Sequence, residues 1–242
     1  MPAYNAGAYI EEAIHSVMDQ TVTDWELLVL DDGSSDDTRT RVAALAAKDS
    51  RIRLLPNEKN LGAANTRNRG FDLCRGRYVA LLDSDDRWMP EKLEKQLLLL
   101  EQTGADFSYC SYAIVDGAGE PAKNDYIVPG NVSFEGLLRE NCIGCSTVVL
   151  RREITERYRF NPDFYHEDYV LWLQLTRDGL RGVGCTQVLS SWRYIATSRS
   201  FDKKKAALNR WRIYRQYLKL PLWKSICAFS GYVTASLKKY RS

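Results

Sequence analysis

The chain has 242 residues and a mass of 27.7 kDa, enough for one α/β domain with a full core. Hydrophobic residues at 45% and charged ones at 27% are ordinary for a globular protein, and no window reaches the roughly 20 apolar residues of a membrane-spanning helix. The net charge of +3 hides an asymmetry: residues 193–242 carry thirteen Lys or Arg and one acid, Asp202, which leaves the rest of the chain at −9. An acidic body argues against nucleic acid as the partner.

Pro2-Ala3-Tyr4-Asn5 reads either as turn chemistry or as the edge of a binding pocket. Gly7 to Gln20 is expected to be helical, with Ile10, Ala13, Ile14, Val17 and Met18 at helical spacing. The apolar run Trp25 to Leu30 predicts a strand that ends in Asp31-Asp32-Gly33-Ser34-Ser35-Asp36-Asp37-Thr38. Residues 36–48 predict a helix, and Ile52 to Leu55 a short strand ended by Pro56-Asn57. Asn60-Leu61-Gly62 opens a helix that runs to Arg75, with Gly76 as its C-terminal cap. A strand over 77–82 then stops at Asp83-Ser84-Asp85-Asp86, and a helix follows from Pro90 to about Thr103. Strand and helix alternate, which predicts a mostly parallel sheet with right-handed crossovers.

After Gly104 the rhythm changes. Strands are expected over 107–115, 145–150 and 183–191, and helices over about 133–140, 167–177 and 203–217. This is an α/β chain with a first half (1–104), a second half (105–200) and a basic tail (201–242). Six cysteines show no disulfide framework, and Cys142-Ile143-Gly144-Cys145 has no second pair to complete a metal site. Free thiols point to a reducing, cytoplasmic setting.

Two strands ending in clustered carboxylates carry the chemistry. Asp83, Asp85 and Asp86 repel one another unless a positive charge sits among them, and hard oxygen ligands select Mg²⁺ or Mn²⁺. Acidic starts of the following helices are the structural alternative, since Asp caps helices and acids suit a first turn. Five motifs taken in order, namely Pro2 to Asn5, Asp31 to Ser34, Asn60 to Gly62, Asp83 to Asp85 and His166-Glu167-Asp168, resemble the inverting glycosyltransferases of family 2, which have the GT-A fold. The resemblance covers roughly the first 195 residues.

It implies a metal-dependent transfer of a sugar from a nucleotide-sugar, most simply a UDP-sugar, to a glycan or lipid-linked acceptor in surface polysaccharide synthesis. Asp85 would hold the metal, and Asp83 the ribose or the metal's water. Pro2, Ala3, Tyr4 and Asp32 would line the base pocket, and Arg67 would touch donor phosphate or sugar unless it is a helix-surface arginine paired with a carboxylate. Asp168 would be the catalytic base, Glu167 would orient metal or acceptor, and His166 either meets phosphate or flanks. Arg193 or Arg199 would clamp the diphosphate, and Cys145 to Thr147 belong to the acceptor wall by position. A catalytically silent nucleotide-sugar-binding scaffold is the alternative, and retention of both Asp85 and Asp168 argues against it.

The tail from Lys203 mixes basic residues with Trp211, Tyr214, Tyr217, Leu222 and Trp223. It suits peripheral association with the anionic inner face of the cell membrane, or else packing on the domain or a homodimer contact. In the resembling fold an apolar strand precedes the Pro-x-Tyr-Asn corner and lies between the strands ending at Asp32 and Asp83. The expectation is therefore that Met1 is an internal methionine, with the start some 5–10 residues upstream, about one strand's length.

Overall fold

The computed structural model describes residues 1–194 and 203–241. Strands β1 (Pro2–Ala3), β2 (Leu27–Asp31) and β3 (Ile52–Pro56) form a parallel sheet in that order. Every residue of β2 is buried, as a continuous apolar run between two helical layers requires. The crossovers are α1 (Ile10–Met18), α2 (Thr38–Ala46) and α3 (Ala63–Leu73). α1 buries Ile10, Ala13, Ile14 and Val17, one face of a helix read three and four residues apart. Gly76 does not cap α3, which instead ends at Leu73 because Cys74 is already extended (φ −72°, ψ 145°). The left-handed glycine stop is Gly104 (φ 62°), at the end of α4 (Lys92–Thr103).

A second, mixed sheet takes the rest. It contains β4 (Tyr78–Ala80), β5 (Arg87–Trp88), β6 (Phe107–Val115), β7 (Pro121–Tyr126), β8 (Val149–Arg151) and β9 (Gly182–Arg193). Its order is β4-β8-β6-β9-β5, with β7 on the edge of β6, and only β6 and β9 run parallel. The parallel reading of the sequence therefore holds for β1–β3 and departs at β4, which pairs antiparallel with β8. Among the described residues β1, two residues long, pairs only with Leu30 and Asp31, and no pairing joins it to β4. An apolar cavity of about 740 Å³ lies beyond it, lined by Met1, Leu28, Leu30, Phe71, Val79 and Leu81. β5 and β7 were not expected, β5 because it is two residues long and β7 because it is polar and exposed.

Four shorter or later helices complete the body: α5 (Phe134–Arg139), α6 (Arg152–Arg157), α7 (Glu167–Arg177) and α8 (Lys203–Arg212). The backbone amide of Gly136 donates to the Ser133 hydroxyl at 3.0 Å, the expected start signal of α5. α8 runs on into a π-helical turn (Ile213–Tyr217), and α9 (Leu222–Arg241) closes the chain. One core lies under the parallel sheet around Ile10, Val29, Val42 and Leu100. The other surrounds α7, whose Tyr169 to Leu173 are all buried, as a helix apolar on every side must be. Ile213 and Tyr214 are fully buried in this second core and Ala228 nearly so. The tail thus packs its inner face on the body and exposes Leu222, Trp223 and Ile226 on the outside. All six cysteines are free thiols.

Candidate active site

The loop after β2 is held by its own carboxylates. Asp32 is buried and accepts from the backbone amides of Leu61 (2.7 Å) and Gly62 (2.9 Å) and from Asn57 Nδ2 (2.7 Å). It thereby ties the rim of β2 to the first turn of α3. Gly62 (φ 80°) can turn there without the strain a side chain would bring. Asn5 takes the left-handed conformation (φ 48°) that asparagine tolerates, and its Oδ1 accepts from the Ser35 amide at 2.9 Å. The Pro2–Asn5 corner is therefore both a turn and a pocket edge.

The loop after β4 keeps three carboxylates close together. Asp86 is buried and accepts from Ser146 Oγ (2.5 Å) and the Arg193 amide (2.9 Å). Burial, then Asp85 and Asp83, push its carboxyl well above the ordinary range. Burial and the Asp83 charge push Asp85 up to about 6. Arg193 does not face the pocket as a clamp. Its guanidinium is fully buried, donates to the Asp85 carbonyl (2.8 Å) and the Gly117 carbonyl (2.9 Å), and pairs with Glu12. It acts behind the acidic loop and sets that loop's backbone. Arg199 lies outside the described residues.

The His166-Glu167-Asp168 motif opens α7. Arg67 of α3 joins it to the loop after β4: one nitrogen reaches Glu167 Oε1 at 2.8 Å and another Asp83 Oδ1 at 2.6 Å. Arg67 is buried and not on the helix surface; it pairs with these carboxylates and lines the pocket. Burial raises the Asp168 carboxyl to about 6, with the neighbouring Glu167 charge second.

A pocket of about 570 Å³ gathers nearly all of these residues. Pro2, Ala3, Tyr4, Asp32, Arg67, Asp83, Asp85, His166, Glu167 and Asp168 all line it. Gly62 and Ala63 bring the start of α3 to the same wall, where a helix N-terminus suits anions. A second cavity of about 500 Å³ shares Asp83, Asp86, Cys145, His166, Asp168 and Trp192 with the first, so Asp168 borders both. Among the described residues no three His, Cys, Asp or Glu side chains form a complete metal cage. A rim carboxylate in an open pocket is nonetheless what Mg²⁺ or Mn²⁺ accepts beside a diphosphate, and Asp85 lines that pocket. Sequence reasoning passed over Asn57 and Glu12. Glu12 lay unmarked on a helix face and carried no local signal.

Residues 1–159 match the family described as Glycosyl transferase family 2. The chain is 37% identical over 241 residues to the Escherichia coli protein named UDP-Glc:alpha-D-GlcNAc-diphosphoundecaprenol beta-1,3-glucosyltransferase WfgD, covering 99% of this chain and 93% of that one. It is 36% identical over 238 residues to TuaG of Bacillus subtilis (strain 168), a glycosyltransferase named for teichuronic acid biosynthesis, covering 98% and 94%. Among solved structures, TarS of S. aureus in complex with UDP-GlcNAc has a TM-score of 0.70 at 18% identity, with 97% of this chain and 79% of that one covered. The mannosyltransferase PcManGT of Pyrobaculum calidifontis, in complex with GDP-Man and Mn2+, has a TM-score of 0.72 at 16% identity, covering 98% and 73%. The parallel sheet with its acidic rim is therefore the GT-A arrangement, and the chain belongs to glycosyl transferase family 2.

Proposed function

We propose that this glycosyltransferase moves a hexose from a UDP-sugar to a sugar carried on a lipid diphosphate, with inversion at the anomeric carbon. The observation that carries the reading is a single pocket in which Asp83, Asp85 and Asp168 meet between the base-pocket corner and the start of α7. The names of WfgD and TuaG support the acceptor class, and the UDP-GlcNAc complex of TarS is in keeping with a uridine donor.

The chemistry follows from the carboxylates. Asp85 would hold Mg²⁺ or Mn²⁺, which supplies Lewis-acid stabilisation of the leaving diphosphate. Asp168 lies across the pocket, where it takes the proton of the attacking hydroxyl. A carboxylate near 6 is a stronger base than an ordinary one and is still ionised at neutral pH. Arg67 fixes Glu167 and Asp83 relative to each other, so the acceptor side is registered on the donor side. Attack from Asp168's side, opposite the diphosphate, inverts the centre.

The acceptor's lipid also suits the outside of α9. Leu222, Trp223 and Ile226 are exposed there, and residues 203–241 contain no acid. This surface fits the anionic leaflet that carries the acceptor. The testing experiment is a donor screen with a GlcNAc diphosphate on a short alkyl chain, reading UDP or GDP release with Mn²⁺ present. Release that needs both donor and acceptor supports the reading. Nucleotide-sugar binding without release under every combination would show a silent binder.

A further inference from the structure

One arginine of the basic tail does not reach solvent. Arg210 on α8 is 6% exposed, and its guanidinium lies 3.7 Å from the centre of the Tyr169 ring and 4.6 Å from that of Tyr232. The polar groups acting on it are tyrosines, and its buried Nη1 has no hydrogen-bond partner among the described residues. An arginine cannot shed its proton to escape burial, and a buried charge faced by neutral groups is costly. An incoming anion would remove that cost.

The surroundings say which anion. Arg210, Tyr232 and Arg139 line the cavity of about 500 Å³ that Asp168 and His166 also line. Tyr169, which carries the guanidinium on its ring, directly follows Asp168 in the first turn of α7. The backbone amide of Tyr165 donates to Asn209 Oδ1 at 3.1 Å, which anchors α8 to the segment leading into that turn. The lining of this cavity thus includes both a carboxylate and a cation. A sugar diphosphate has matching ends: a ring hydroxyl to be deprotonated and, across the ring, an anomeric phosphate.

We propose that Arg210 is the anion-binding end of the acceptor site, holding a phosphate of the diphosphate-linked sugar whose hydroxyl faces Asp168. The planar guanidinium suits two phosphate oxygens at once. The assignment rests on Asp168 being the base of the reaction proposed above, and it places the acceptor's diphosphate away from the donor's, at Asp85.

The test is binding, not turnover. Decyl diphosphate and, as a neutral comparator, decyl glucoside are titrated below micelle concentrations into the UDP-loaded enzyme. The expected result is that wild type binds the diphosphate and discriminates against the glucoside. Arg210→Met should lose the diphosphate by roughly tenfold or more while its UDP affinity and melting temperature hold. Arg210→Lys, which keeps a point charge and is the gentler change, should retain part of the discrimination. Wild type that fails to prefer the diphosphate overturns the proposal without any variant. So does Arg210→Met that keeps the preference, or that loses UDP to the same degree, which would put the arginine on the donor's phosphates. Failure of sugar transfer with every donor, alongside intact diphosphate discrimination, would sink the reaction proposed above and leave this site standing.

Discussion

Asp168 and Asp85 are both held near 6, each first by burial, and they are assigned opposite tasks, one to take a proton and one to hold a cation. Asp168→Asn keeps the shape and cannot accept a proton, so turnover is expected to fall by roughly 10²–10⁴ while UDP affinity stays. A loss of only a few fold would move the role to Glu167. In wild type, kcat/KM should rise with pH through about 6, where the base loses its proton. Stability runs the other way. Both carboxyls are raised above 3.8, so the folded state binds protons more tightly than the unfolded one. Metal-free protein should therefore gain stability as pH falls from about 6 towards 4, and at pH 7 it bears the whole penalty. Asp85→Asn is expected to raise metal-free stability at pH 7 by roughly 1 kcal/mol and to abolish Mn²⁺-dependent nucleotide-sugar binding. A lower melting temperature in that variant would show that Asp85 supports the loop and does not strain it.

Among the elements, β1 and α9 behave least as their sequences suggest. β1 spans two residues, and the apolar cavity beyond it is open between β2 and β4. A variant with about five or six apolar residues added ahead of Met1 should lay them in this slot, a strand's length of backbone against unpaired edges. Each large apolar side chain buried there contributes on the order of 1.5–3 kcal/mol, so a melting temperature several degrees higher is expected. The extension also converts the Met1 amine, pushed down to about 5 by burial, into an amide. A group lowered in the fold makes stability rise with pH between about 5 and 8, and that slope should vanish in the extended protein. Equal melting curves for the two forms would show that the slot closes by other means. For α9, the sequence showed a short apolar stretch between basic ends, and packing decides which side is used: Ser225 and Ala228 point into the body, Leu222, Trp223 and Ile226 away from it.

In the whole molecule, the described part of the tail both completes the second core and presents a basic, apolar outer face. Deleting it would remove Arg210 and Tyr232 together and open the cavity they line, so point changes are the cleaner probe. Leu222→Ser, Trp223→Ser and Ile226→Ser together touch only exposed side chains. They should leave melting and UDP binding unchanged and sharply reduce pelleting with anionic vesicles, as should salt. Equal pelleting of the triple variant would remove the membrane from the account. The division of labour between sequence and fold follows from range. Acidic strand ends, the helical spacing of α1 and the His166–Asp168 turn are local patterns, and a local pattern survives in the bare chain because each residue's neighbours are known. That was enough for the family and for most of the pocket wall. What lay beyond it were pairings between distant segments: β4 on β8, Arg67 between Asp83 and Glu167, Arg193 turned inward to Glu12, and Arg210 drawn out of a basic run onto Tyr169. An arginine's spelling is the same whether it faces water, a carboxylate or an empty cavity, and only the packing of elements far apart in the chain decides which of these it meets.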